Sequence, residues 1–159
     1  IDRENVFGIE DILLGRRVIE GRKVAVIGGG HVGLEVAHFL CANNKVTIVE
    51  MADEIGASVY YITKFKLLPL LREAGVTFRT GQAIAAVDDG SIRLRDTHTG
   101  QCTELKAEAV VLAMGSRPDL AARAAFDRNF DHVVYAGDAV RGGTMLEANR
   151  DAFALAWEF

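Results

Sequence analysis

Cysteine, proline and tryptophan are scarce: the chain has two cysteines, two prolines and one tryptophan in 159 residues. Cys41 and Cys102 lie far apart and form no C-x-x-C pair. That excludes a local redox dithiol and leaves both as reduced thiols with packing roles, in keeping with a cytoplasmic protein. An iron–sulfur cluster needs four thiolates, so two isolated cysteines cannot hold one. The four histidines, His31, His38, His98 and His132, fall at no zinc-ligand spacing, and no metal site is expected. No apolar stretch approaches the roughly 20 residues that span a bilayer. No basic, then apolar, then small-residue opening reads as a signal peptide. A membrane is therefore not an expected partner. Nor is nucleic acid: the net charge is −4 and the basic residues are scattered among acids rather than clustered. Internal repeats and low-complexity segments are absent.

Half of the residues are hydrophobic and a quarter charged, a composition that supplies a core for one domain, or one domain with fragments of a second. The chain opens on Ile1, within "IDRENVFGIEDILLG", which reads as the interior of a longer polypeptide. "KVAVIG" (Lys23–Gly28) and "KVTIVE" (Lys45–Glu50) are short apolar runs, the pattern of strands buried on both faces of a parallel sheet. Between them Val32, Val36, Phe39 and Leu40 recur at helical spacing, and Asn43 and Asn44 end the helix. A second helix is expected around Lys64 to Glu73, closing on Gly75, with Pro69 kinking or interrupting it. "VTFRTG" (Val76–Gly81) reads as a third strand. "AIAAV", "SIRLRD" and "CTELK", split by "DDG" and "THTG", predict a small antiparallel meander. "AVVLAMG" (Ala109–Gly115) is apolar throughout and returns to the main sheet. An alanine-rich helix, a buried strand in "HVVYAGDA" and a last helix from Thr144 complete the pattern, Thr144 and Glu147 having capping-box spacing. The fold class is α/β: a Rossmann-like parallel sheet with a small antiparallel β-meander.

"VAVIGGGHVGLEVAHFL" (Val24–Leu40) carries the chemistry. Gly28, Gly30 and Gly33 fit G-x-G-x-x-G. The first allows a tight strand-to-helix turn, the second lets backbone approach a pyrophosphate, and the third lets the helix pack on the strand. The pyrophosphate of a nicotinamide dinucleotide then sits at the helix N-terminus, against unpaired N–H groups and the positive end of the dipole. Glu50 follows at the end of the second strand, the context that gives the glycine pattern its meaning. A carboxylate there accepts hydrogen bonds from the adenine ribose hydroxyls and repels a 2′-phosphate by about 1–4 kcal/mol at contact. Residues 51–54 offer no arginine, so NADH is favoured over NADPH, with Lys64 and Lys66 the nearest cations in sequence. Gly29, His31, Val32 and Met51 complete the segments expected against the dinucleotide. Tyr60-x-x-x-Lys64 imitates the Tyr/Lys pair of short-chain dehydrogenases but follows Glu50 too closely to serve as one.

Taken together, "GGGHVGLE", "VVLAMGSRP" and "VYAGDA" give the chain a family likeness. It resembles the pyridine-nucleotide half of two-dinucleotide flavoproteins, and most closely the C-terminal region of NADH:flavin oxidoreductases of the 2,4-dienoyl-CoA reductase and trimethylamine dehydrogenase type. The resemblance implies an NAD(H)-binding domain over 22–115, with 1–21 and 116–159 as incomplete FAD-domain segments. It implies that Glu35 lies near the nicotinamide end, that Gly115 lets backbone pass close to cofactor, and that Gly137 and Asp138 face the flavin's ribityl or pyrophosphate portion. The implied partners are nicotinamide dinucleotide and the flavin domain of the parent chain, and a homo-oligomer is a candidate assembly. The implied cofactors are NAD(H) and FAD, the FAD site being incomplete because only one glycine fingerprint is present. The reaction implied is hydride transfer from NADH to FAD, for which no catalytic residue of this chain is required, and the chain alone is not expected to turn over. Two other readings stand beside it: a module of a pyridine nucleotide–disulfide reductase, and a nucleotide-holding domain that binds ADP without turnover.

Overall fold

Strand alternation explains the main sheet. In a computed structural model, which describes residues 3–157, the runs Lys23–Ile27 (β2) and Lys45–Val49 (β3) lie parallel, with Val24 registered on Val46 and Ile27 on Val49. Val24, Val26, Val46 and Ile48 point to one face, and Ala25, Ile27 and Val49 to the other. Both faces are covered, so nearly every position is apolar. On the first face lie the helices Ile9–Leu13 (α1), His31–Leu40 (α2) and Tyr61–Glu73 (α3), contributing Ile12, Leu34, Val36, Leu40 and Leu71. On the second lies a three-stranded antiparallel meander, contributing Val87, Ile92 and Leu94. Complete burial of a side chain such as Leu34 or Ile48 is worth about 1.5–3 kcal/mol.

The sheet has five strands in the order β1-β8-β2-β3-β4, with Val6–Gly8 as β1, Thr77–Arg79 as β4 and Ala109–Leu112 as β8. The meander is Gln82–Asp88 (β5), Ser91–Asp96 (β6) and Cys102–Lys106 (β7), paired in chain order. The α/β class, the parallel sheet, the meander and the return of residues 109–112 to the main sheet all match the expectation from sequence. β1 does not appear in that reading. Three residues beside a polar opening carry no periodicity, yet β1 pairs with β8 from Val6↔Val110 to Gly8↔Leu112, so the sheet starts before residue 22.

Two further expectations are corrected. Pro69 does not interrupt α3, which runs unbroken from Tyr61 to Glu73. Proline removes one amide, but Pro69 is exposed, and water can take up the carbonyl left without its donor. The buried face of α2 is Gly33, Leu34, Val36, Ala37 and Leu40, while Val32 and Phe39 are exposed.

The chain divides into two compact units, Ile1–Met114 and Gly115–Phe159. The second holds the alanine-rich helix Leu120–Asn129 (α4), capped by the Asp119 carboxylate, and Met145–Ala156 (α5), whose Thr144–Glu147 capping box forms as read. "HVVYAGDA" is not a strand: residues 132–136 are irregular and Gly137–Ala139 form a 3-10 turn. Its apolar run suits a strand, but no strand lies beside it among the described residues of the unit, and a strand needs a neighbour to satisfy its amides. The ends of the two segments read as FAD-domain material, residues 1–2 and 158–159, lie outside the described residues.

Candidate functional site

At the carboxyl end of β2 the three fingerprint glycines meet three different surroundings. Gly28 has φ +109, and a Cβ there would stand 2.3 Å from the Ala113 carbonyl oxygen just after β8. Its amide donates to the Val49 carbonyl at 2.8 Å, tying the turn to β3. A Cβ on Gly33 would fall 1.9 Å from the Gly28 carbonyl oxygen, so this glycine lets α2 lie on the turn. Gly30 is the N-cap of α2, has an ordinary φ of −74, and has no atom within 4 Å of where a Cβ would stand. Neither strain nor crowding demands glycine at that position. What its bareness leaves is open space over the start of the helix.

Into that space face amides without partners. Gly30 provides no side-chain cap, and the first turn of a helix has no internal acceptors, so among the described residues the N–H groups of His31, Val32 and Gly33 find no acceptor. Free amides at a helix start are groups that can receive an anion. Gly29 is not among them. Its amide donates to Glu50 Oε2 at 2.5 Å, while Glu50 Oε1 accepts from the Ala52 amide at 2.8 Å. Glu50 therefore spans the corner, with a carboxylate oxygen on the glycine turn and the other on its own following segment. Its place at the end of β3 is legible in the sequence; its grip on Gly29 is not, because a side chain's choice of partner is set by how β3 and α2 approach. Each oxygen retains a lone pair for a further donor.

Residues 51–59 fold back onto the turn. The Gly56 amide donates to the Gly29 carbonyl at 2.9 Å, and Ile55, buried, packs its Cδ1 against Gly29. Two side-chain pairs hold the exposed part of this segment: Glu54 with Lys64, and Asp53 Oδ1 with His98 Nε2 at 2.6 Å. The hydrogen bond to Asp53 and its charge raise the His98 pKa above the ordinary histidine range. Lys64, the cation that the sequence offers near Glu50, is thus occupied by Glu54. Met51 and Val32 are exposed, and Glu35 is exposed with Oε1 3.3 Å from His31 Nε2, one helical turn earlier.

Gly115, Gly137 and Asp138 belong to the second unit. Gly115 has φ +81 and open space around it. Gly137 has φ +58, and a Cβ there would lie 2.8 Å from Ala148 Cβ, so glycine lets the 3-10 turn rest on α5. Asp138 Oδ1 accepts from the Gly143 amide at 3.1 Å, just ahead of α5. Ala136–Asp138, Gly143–Met145 and Ala148 line a cleft of about 340 Å³. A second cleft, of about 390 Å³, lies at the opposite ends of β2 and β3, around Lys23, Cys41 and Lys45, and takes in none of the residues nominated from sequence. Among the described residues no helix is long and apolar enough to cross a membrane.

The family described as pyridine nucleotide-disulphide oxidoreductase matches residues 4–134. NADH oxidase of Thermoanaerobacter brockii is 31% identical over 163 aligned residues, covering 99% of this chain and 25% of that protein. The ferredoxin–NAD(+) reductase component of the p-cumate 2,3-dioxygenase system of Pseudomonas putida is 37% identical over 116 residues, covering 70% of this chain and 28% of that protein. The structure of histamine dehydrogenase from Rhizobium sp. 4-9 superposes with a TM-score of 0.78 over 98% of this chain and 26% of that one, at 20% identity, a likeness of fold. The chain spans about a quarter of the length of the curated relatives it matches.

Proposed function

The chain belongs to the pyridine nucleotide-disulphide oxidoreductase family, and from that premise we propose that it is the NADH-binding module of a flavin-dependent oxidoreductase of the NADH:flavin oxidoreductase branch. The observation that carries this reading is the corner itself: three unpaired helix amides beside a bare Gly30, with the Glu50 carboxylate across the turn. The amides of His31, Val32 and Gly33 receive the pyrophosphate, and Gly30 leaves room for it. Glu50 accepts from the adenine ribose while keeping Gly29 and Ala52 in place. Val32, Met51 and Glu35 line the course of the dinucleotide, Glu35 toward the nicotinamide.

The residues also fit part of a flavin site. Gly137 and Asp138 belong to residues 116–159, with Gly115 at their junction, a segment we assign to an FAD domain; residues 22–115 we assign to the NADH domain, and β1 and α1, read from sequence as FAD-domain material, share its sheet and core. With one glycine fingerprint, this chain supplies the Asp138 side of that site alone. Nicotinamide and flavin, when bound, supply the hydride chemistry; the protein orients them and keeps water away. No acid, base or nucleophile is assigned here. We place the protein in the cytoplasm on the ground of its unpaired thiols.

Calorimetric titration of the purified chain with NADH and with ADP tests the reading. NADH is expected to bind more tightly than ADP, since the nicotinamide half adds contacts. Equal affinities would favour a nucleotide-holding domain without turnover, and no binding of either would overturn the proposal.

A further inference from the structure

The short segment after Glu50 is fastened by its own backbone and by a side chain from elsewhere in the fold. The Ala52 amide donates to Glu50 Oε1 at 2.8 Å, and the Ala52 carbonyl accepts from the Gly81 amide at 2.9 Å. One residue on, Asp53 Oδ1 meets His98 Nε2 at 2.6 Å, the ring coming from the turn between β6 and β7, 45 positions away. That turn is itself fixed. Asp96 Oδ1 accepts from the His98 and Thr99 amides at 3.0 and 2.7 Å. The Gly81 carbonyl accepts from the Thr97 amide at 2.8 Å and from the Thr97 hydroxyl at 3.0 Å. Gly81 lies beside the pair with φ +63, and a Cβ there would stand 3.4 Å from Asp53 Oδ1 and 3.7 Å from His98 Nε2. The charges that face the ring are the Asp53 carboxylate, from the segment after β3, and the Asp96 carboxylate, on its own turn; Gly81 brings none.

We propose that His98 is a positioning residue for the dinucleotide corner: protonated, it holds Asp53, and with it the Ala52 amide that fixes the Glu50 carboxylate, so that NADH binds more tightly when the ring carries its proton. This rests on the assignment of Glu50 to the dinucleotide. The path is short, from the ring to Asp53, along one peptide to Ala52, and from the Ala52 amide to the carboxylate that also grips Gly29. When the ring loses its proton, the attraction of unlike charges goes, and at most one neutral hydrogen bond from Nε2 remains. The segment then has one fastening fewer, and ordering it falls to the ligand, which weakens binding. Both side chains of the pair are exposed, so the effect is small and sensitive to salt. His98 acts through Asp53 and touches none of the reacting atoms.

The test is calorimetric titration of the full chain with NADH at about pH 6 and about pH 9, for the unsubstituted protein, His98→Gln and Asp53→Asn. The unsubstituted chain is expected to bind NADH about two- to threefold more tightly at the lower pH, the size of an exposed ion pair. That difference should vanish in both variants, and added salt should shrink it in the unsubstituted chain. By reciprocity, saturating NADH should raise the NMR midpoint of the His98 ring by the logarithm of the same factor, a measurement that needs no variant. Equal affinities at the two pH values in the unsubstituted chain would overturn the proposal, and so would a His98 midpoint that NADH does not move. A pH dependence that persists in His98→Gln would overturn it too, placing the titrating group elsewhere, as at His31. If NADH binds at neither pH, the assignment of the corner fails, and this one with it.

Discussion

At the residue scale, the fingerprint glycines separate into those that the fold requires, Gly28 and Gly33, and Gly30, which it does not. Gly33→Ala forces a Cβ onto the Gly28 carbonyl, and we expect a loss of about 1–3 kcal/mol in stability by chemical denaturation. Gly30→Ser should behave oppositely. Serine is a good N-cap, so the fold should be at least as stable, but its hydroxyl takes an amide of the first helical turn and fills the open space. NADH affinity is then expected to drop by tenfold or more, about 1.4 kcal/mol; unchanged affinity in a stable Gly30→Ser would show that nothing docks there. Glu50→Ala leaves the amides of Gly29 and Ala52 without acceptors, and the part-buried Gly29 donor gives an expected cost of about 1–3 kcal/mol. A change below about 0.5 kcal/mol, the scatter of ordinary surface substitutions, would show that the grip on the turn is immaterial.

At the element scale, the exposed segment after β3 is fastened to the β6–β7 turn by Asp53 and His98. Asp96 organises that turn, its carboxylate held below the usual range by the Thr99 amide and hydroxyl and by the His98 amide. Because the folded pKa of His98 is raised, its tether contributes fully below the unfolded value, about 6.5, and is lost as pH rises through the folded value. NMR titration of the His98 ring should give a midpoint above that of an ordinary histidine, returning toward it in Asp53→Asn; identical midpoints would remove the tether. The capping box of α5 offers a separate check. Thr144→Ala should cost about 1 kcal/mol of helix stability and lower the helical signal in circular dichroism.

At the scale of the whole molecule, the two units differ in kind. The first has a core on both faces of its sheet. The second has no buried hydrophobic side chain among its described residues, and it exposes Phe126, Phe130, Leu146, Phe153 and Trp157. Apolar surface of that extent is characteristic of segments that meet a partner. We therefore expect the isolated chain to bind NADH but not to oxidise it when free FAD is added, as read by absorbance at the nicotinamide band. Steady oxidation by the purified chain would show that it builds a complete flavin site.

The sequence by itself determined the parallel strands, the meander, the capping box and the positions of Gly28, Gly30, Gly33 and Glu50, because these depend on local periodicity and on residues within one β-α-β unit. It did not determine β1, whose three residues become a strand only by pairing with β8, about a hundred positions later. It suggests a strand over residues 132–139, where the apolar pattern is present but no neighbouring strand is among the described residues of that unit. Only the tertiary structure decided what Glu50 holds and that Lys64 is engaged by Glu54 and His98 by Asp53. Those outcomes follow from the register of adjacent strands, which joins the backbones of Glu50 and Arg79 across 28 intervening positions in a way that no local pattern encodes.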